Sequence, residues 1–360
     1  MTDRDLRETT TTGMNTAVTN YTVNQKIVDE PSKSDETYYE NPNWSKYLGY
    51  YKRIPEFKEA IRALARWSVG RGFTTDVGTK VILDHITGAG EDTFQSIITN
   101  HLIVKKVNGD AYAEIIRGDD KNETLINLKP LNPAHMRTVF NKKGLIIGYE
   151  EFDLNSKQTK RRFKPEEIFH SMNDRIANEI HGTSVLEACQ WVIDARNEAM
   201  ADKRRVHHRS TIRIMEVDSD DTTKLGTLKT QYAEAIKSGE VLIVPKGIGF
   251  MDAPMNYIDT IDWIRYLEGF FYQAVGVPRA IANTENFTEA SSKGGYLTFE
   301  PVYVEEQTLL EQDLWNQLGI KVTFNRPPSL SGVMQSDEAK NTGQMGFQDN
   351  EMTAQVGRNE

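Results

Sequence analysis

The chain has 360 residues, 38% of them hydrophobic and 26% charged, which is enough to bury real cores and to divide into two or three domains. Lys+Arg 43 against Asp+Glu 52 gives a net charge of -9, which excludes a protein that grips phosphate backbones over a broad basic surface. The single cysteine, Cys189, excludes an internal disulfide and fits a reducing cytoplasm; it reads as a small buried hydrophobe on a helix.

In chain order, residues 1 to about 37 are dominated by Thr, Asn, Asp, Glu and Ser with no sustained period. Such a composition cannot offset its ordering entropy by burial and predicts a flexible arm. Aromatics then arrive together in "YYENPNWSKYLGYYKRIPEFKEAIRALARWSVGRGF". Pro55 suits a first helical turn, and Phe57, Ile61, Leu64 and Trp67 or Ala65 recur at helical spacing until Gly70 and Gly72.

From Leu102 to His170 the pattern is of short strands: "AYAEIIRG", "TLINLKPLNP", "MRTVF", "GLIIGYEEF" and "RRFKPEEIFH", with "NKKG" and "DLNSKQ" as turn signals. A small antiparallel sheet follows from this pattern. Helical period returns at Ser184, which pairs with Glu187 as a capping box, and Val185, Ala188, Cys189, Val192, Ala195 and Ala199 line one face as far as "DKRRVHHR". Residues 210–255 offer a strand at "TIRIMEV", a helix at "TTKLGTLKTQYAEAIKSG" and a strand at "EVLIVPKG", a small α/β insert. A second long helix starts near Asp259 or Thr260, carries Ile261, Ile264, Leu267, Phe271 and Ala274, and stops at Gly276 and Pro278. The polar strip "GVPRAIANTENFTEASSKGGY" comes next, then a helix in "YLTFEPVYVEEQTLLEQDLWNQLG" with a kink or break at Pro301, then a returning strand "IKVTFNRP". No apolar run is long enough to span a bilayer, and no basic-then-apolar signal opens the chain, so no membrane partner is expected and synthesis and use in the cytosol are.

A catalytic constellation does not emerge. G-x-x-x-x-G-K-[ST] is absent, and "VGRGF" holds a lone G-x-G. His207 and His208 lack H-E-x-x-H spacing and read as a solvated helix end. Asp218, Asp220 and Asp221 lack the glycine and distal glutamate of an EF-hand loop. There is no G-x-S-x-G elbow, "ASSK" lacks acyl-enzyme partners, and Glu166, Glu167 and Asp174 are scattered carboxylates. The reading is no enzyme, no cofactor and no metal.

The order of segments carries more information. "INLKPLNPAHMRTVFNKKGLIIGYEEF", "FKPEEIFHSMND" and "HGTSVLEACQWVIDA", followed by "GEVLIVPKGIGF", "IRYLEGFFYQAVGVPRAI" and "NFTEASSKGGYLTFEPVYVEEQTLLEQDLW", resemble in the same order the compact portal proteins, or head-tail connectors, of tailed bacteriophages of the lambdoid type. The resemblance covers roughly residues 45 to 330. It implies an α+β portal fold: a flexible arm (1–40), a mixed α/β wing (45–183), a first stem helix (184–208), a small α/β clip inserted between the stem helices (210–255), a second stem helix (258–276), a tunnel loop (281–293), a wing return (294–330), and a tail or vestigial crown (331–360).

It further implies a homo-oligomeric ring, usually dodecameric, at a unique capsid vertex of the virion, assembled in host cytoplasm. Double-stranded viral DNA is packaged and ejected through such a ring. The implied partners are the terminase large subunit, the major capsid and scaffold proteins, and a head-tail adaptor. Asn283, Asn286, Phe287, Thr288, Ser291, Ser292 and Lys293 become candidates for a DNA-facing loop built of short hydrogen-bonding groups and one cation. Gly294 and Gly295 become its hinge. Two alternatives stand beside this reading: another ring-shaped head-tail adaptor, and a metal-dependent nucleic-acid enzyme whose carboxylates gather on folding.

Overall fold

The computed structural model describes residues 36–118, 124–209, 213–216, 222–223, 227, 230, 249–252, 261–282 and 289–327. The chain divides into two units, one of Met1–Trp191 with Glu268–Glu360 and the other of Val192–Leu267.

The larger unit begins with β1 (Glu36–Tyr39), α1 (Trp44–Arg53) and α2 (Pro55–Val69). Pro55 opens α2 as expected, and Phe57, Ile61, Leu64 and Ala65 are all essentially buried on its inner face. Each large apolar side chain so buried contributes about 1.5–3 kcal/mol. β2 (Phe73–Thr74), α3 (Val77–Asp84) and α4 (Phe94–Asn108) follow. Asp76 starts α3 by accepting the Thr79 N–H at 2.9 Å, and Thr93 with Ser96 closes a capping box on α4.

Seven further segments of extended chain complete this unit's sheets and its return. β3 (Asp110–Arg117) is the middle strand of an antiparallel sheet ordered β4-β3-β8, with β4 at Leu125–Pro130 and β8 at Ile168–Met172. A second antiparallel sheet is ordered β1-β5-β6-β7, with β5 at Met136–Asn141, β6 at Ile146–Phe152 and β7 at Thr159–Phe163. Tyr112 and Ile168 of the first sheet meet Met136, Tyr149 and Phe163 of the second in a small apolar core. The main core gathers α2, α3, α4, β3, β4 and the C-terminal helix of the unit around Leu64's neighbour Ala65, Ile97, Leu128, Phe169 and Leu314. In the smaller unit, β9 (Arg213–Glu216) pairs antiparallel with β10 (Gly249–Asp252).

Several expectations are corrected. The arm's last residues form β1, whose Tyr38 lies opposite Val139 and Tyr39 opposite Thr138; residues 1–35 lie outside the described set. Residues 102–108 continue α4, so strand structure begins at Asp110. One small sheet becomes two, and "RRFKPEEIFH" is split by a 3-10 turn at Pro165–Glu167. The helix expected from Ser184, α5, starts instead at Gln190 and runs to Arg209. The reason is that Ser184 Oγ donates to the Val107 carbonyl at 2.6 Å and accepts the Leu186 N–H, which ties residues 184–189 into short turns against α4. Cys189 thus precedes the helix; its thiol approaches the Phe270 carbonyl, and burial pushes its pKa up to about 11. "EVLIVPKG" and most of the 222–239 helix lie outside the described residues, and the strand that pairs with β9 lies after them.

The turn before α5 depends on two glycines. A Cβ on Gly109, at φ +94°, would meet the Gly182 carbonyl oxygen at 2.2 Å, and a Cβ on Gly182 would meet the Gly109 oxygen at 2.2 Å and the Asn173 nitrogen at 2.5 Å. These are backbone atoms fixed by Asn173 N–H donating to Gly109 C=O and Gly182 N–H to Asp110 Oδ1. G182A is expected to lower unfolding free energy by about 3 kcal/mol, the upper end of ordinary point substitutions; a urea midpoint equal to wild type would contradict this.

Candidate channel segment and the helix that carries it

The candidate segment lies between α6 (Ile261–Val275) and α8 (Glu289–Asp313), with the single turn α7 (Arg279–Ala282) between them. α6 ends as the sequence predicts. Gly276 takes φ +76°, its N–H bonds the Gln273 carbonyl, and the Val277 N–H bonds the Tyr272 carbonyl. This pair of bonds is a Schellman closure, with Val277 buried beneath it. Pro278 then redirects the chain into α7.

Asn283, Asn286, Phe287 and Thr288 lie outside the described residues. Ser291, Ser292 and Lys293 stand in the first turns of α8, with Lys293 exposed. The hinge expectation is corrected: Gly294 and Gly295 are helical residues of α8. A Cβ at Gly295 would sit 3.4 Å from Pro278 Cβ and 3.5 Å from Ala280 Cβ, ordinary contact distances, so α8 packs beside the turn after α6 without requiring a glycine there. Pro301 does not break the helix either; it is exposed, and α8 runs through it.

What fixes α8 is its inward face. Tyr296, Phe299 and Tyr303, spaced at one helical stripe, surround Trp67 of α2 with ring centroids 5.4 to 5.8 Å away. Next comes Gln307, whose amide donates to the buried Ser68 carbonyl at 2.7 Å. Beside it Glu306 receives both Lys105, at 3.1 Å, and Lys106 from α4, and the Lys106 ammonium also reaches Asn173 at 2.9 Å. Further along, the Ser171 hydroxyl donates to Asp313 at 2.7 Å.

A π-helical turn at Leu314–Leu318 ends the helix. It aims Gln317 at the outer edge of β8, where the amide accepts from His170 N–H at 2.8 Å and donates to His170 C=O at 2.7 Å. The His170 ring continues inward, 2.9 Å from Asp110 and 2.9 Å from the Tyr149 hydroxyl. The chain returns through β11 (Thr323–Phe324), the expected returning strand, which pairs with β2.

Charge in this network is set by burial against pairing. Burial raises the Glu306 carboxyl, but the two ammoniums outweigh it and leave the group below its usual value. Burial lowers Lys106 despite Glu306. Asp313 is raised by burial, offset in part by Ser171. Burial pushes Tyr112 and Tyr149 up, with Asp110 adding to both. His101, stacked on Phe169 with centroids 4.6 Å apart, is held down to about 3 by burial, with His170 and Lys105 adding to it.

The other sequence candidates are placed as follows. Glu167 caps its own 3-10 turn by accepting the Lys164 N–H, and Asp174 occupies a turn at φ 46°. His207 and His208 lie in the last turn of α5, and Asp218, Asp220 and Asp221 lie outside the described residues. Among the described residues no three His, Cys, Asp or Glu side chains come together as a metal site, and no helix is long and apolar enough to cross a membrane. Lys105, Lys106, Glu306 and Gln317 were not singled out in the sequence; the one signal was a lysine pair set in the apolar run "LIVKKV".

Two outcomes are expected. Removing Glu306 leaves two buried ammoniums without their shared partner, so E306A should cost about 3–5 kcal/mol. The apolar replacement K105M/K106M/E306L should recover most of it, measured by urea unfolding. His101 is neutral when folded and takes a proton when unfolded below about pH 6.5. Stability conferred by its neutral form is therefore present above that pH and is lost as pH falls towards 3, with a slope up to about 1.4 kcal/mol per pH unit; H101F should flatten that slope between pH 6 and 4.

No protein-family model matches the sequence, and no curated protein does. Solved structures do. A chain from the neck of a native gene transfer agent particle computed with C12 symmetry superposes with TM-score 0.62 at 15% identity, covering 86% of this chain and 91% of that one. The neck of the empty particle, computed with C6 symmetry, gives 0.60 at 14%, covering 85% and 89%. An HK97-family phage portal protein from Corynebacterium diphtheriae gives 0.50 at 17%, covering 78% and 94%. At these identities the likeness is one of fold: the chain has the mixed helix-and-sheet fold of phage portal proteins.

Proposed function

We propose that the chain is the subunit of a portal ring, set at one vertex of a capsid, through which double-stranded genomic DNA enters and leaves. The observation that carries this is the fold correspondence over 86% of this chain with a chain of a C12-symmetric particle neck, joined by the correspondence with a phage portal protein. A dodecamer, a place in the virion, and docking of the terminase large subunit, capsid and scaffold proteins and a head-tail adaptor follow from the same reading.

Physical chemistry supports it from another side. A ring of subunits each carrying a net charge of -9 sums to a strongly acidic assembly, which repels phosphate and keeps duplex DNA mobile; tight binding would stall it. Within the reading, residues 281–293 approach the DNA. Asn283, Asn286, Thr288, Ser291 and Ser292 supply short uncharged hydrogen-bonding groups, Lys293 a single cation, and Phe287 the one bulky contact. The wing domain corresponds to residues 45–183 with 294–330, the stem to 184–208 and 258–276, and the clip to 210–255.

Electron microscopy of the purified protein tests the ring: closed rings are expected, and a monomer at every concentration and in infected-cell lysate would overturn the reading. K293A and F287A should leave ring yield unchanged and alter genome packaging or retention. Unchanged packaging in both variants would count against a channel role for the segment.

A further inference from the structure

The part of α6 that belongs to the smaller unit, Ile261–Leu267, is apolar on two faces. Ile264 and Leu267 are 8% and 0% exposed, while Trp263 and Tyr266 stand 49% and 58% exposed and Ile261 37%. A surface helix ordinarily keeps its polar residues away from the core; this one presents an indole and a phenol already stacked, with centroids 5.6 Å apart and 24° between planes. Rings pre-arranged in this way lose little side-chain freedom on docking, which is what an interface anchor requires.

The surroundings select among occupants. Asp262 and Arg265, 3.7 Å apart, balance each other beside the rings, so among the described residues of α6 the patch offers phosphate no surplus cation. Base stacking on the rings needs unpaired bases, which duplex DNA does not present. The same unit leaves a second large apolar side chain exposed on its other helix, Met200 of α5 at 42%. A closed ring is built from two different faces of one subunit meeting head to tail, and a thioether is a favourable partner for aromatic rings.

We propose that Trp263 and Tyr266 of one subunit pack against Met200 of the adjacent copy, making a lateral contact between neighbouring subunits. This rests on the ring reading given above. It assigns α6 and α5 complementary halves of one heterologous interface.

The test uses the full chain carrying W263C and M200C together, treated with a short bismaleimide. Cys189 is buried at 2% exposure, so the introduced thiols are the ones that react. The expected result is a ladder of crosslinked species at multiples of 40.9 kDa on a denaturing gel, absent from either single variant. In parallel, W263A/Y266A should keep the wild-type circular dichroism spectrum yet need about tenfold more protein to assemble. If wild type forms rings while the double-cysteine chain gives no ladder and W263A/Y266A assembles at the wild-type concentration, this contact is wrong and the ring stands. If wild type forms no ring at any concentration, the ring reading falls and the contact with it. Crosslinks formed only to other virion proteins would also overturn the proposal.

Discussion

Glu306 holds together elements that lie two hundred positions apart in sequence. Its carboxylate sits between the ammoniums of Lys105 and Lys106, with side chains 5 to 12% exposed. A buried charge is tolerated where its partner and its remaining hydrogen bonds are supplied, and is ruinous where they are not. The lock is therefore specific to one placement of α8 against α4. A slip of one residue along the helix would carry Glu306 away from both ammoniums and, because each residue turns the helix by about 100°, would also turn the aromatic stripe away from Trp67.

That placement matters for what α8 carries at its start. The helix begins immediately after the candidate channel segment, and its first turns hold Ser291, Ser292 and Lys293. The helix that follows the segment is fastened at Tyr296–Tyr303, at Gln307, at Glu306 and at Gln317, which on the proposed reading gives a DNA-facing segment a rigid base. The Schellman closure at Gly276 fixes the end of α6, so in sequence the candidate segment is flanked by anchored helices on both sides.

Some of this was legible in the sequence and some was not, for physical reasons. The period of Phe57, Ile61 and Leu64, the turn at "NKKG" and the stop at Gly276 are local signals, and each names its element. α4 was hidden because it is buried nearly all round, from Phe94 through Ile98 to Val107, so no polar face marks its period. β1 is four residues long and exists only because β5 supplies its partner, which is a non-local fact. Ser184 has the chemistry of a helix cap but spends its hydroxyl on Val107. Paired glycines at 294 and 295 suggest a bend, yet both continue α8 as helical residues. The lysine pair in "LIVKKV" hints at buried charge, but nothing local names Glu306 as its partner two hundred positions away.

Gln317 has a further significance for a protein that exists in many copies. Its amide lies along the outer edge of β8 and occupies the N–H and C=O of His170 as a neighbouring strand would. An open strand edge is a template for any chain with the same edge. By placing a side chain from its own π-helical turn on the backbone groups of His170, the chain occupies the centre of that edge itself. Edge-to-edge pairing is thus opposed at the level of the single folded chain, before any other copy is met.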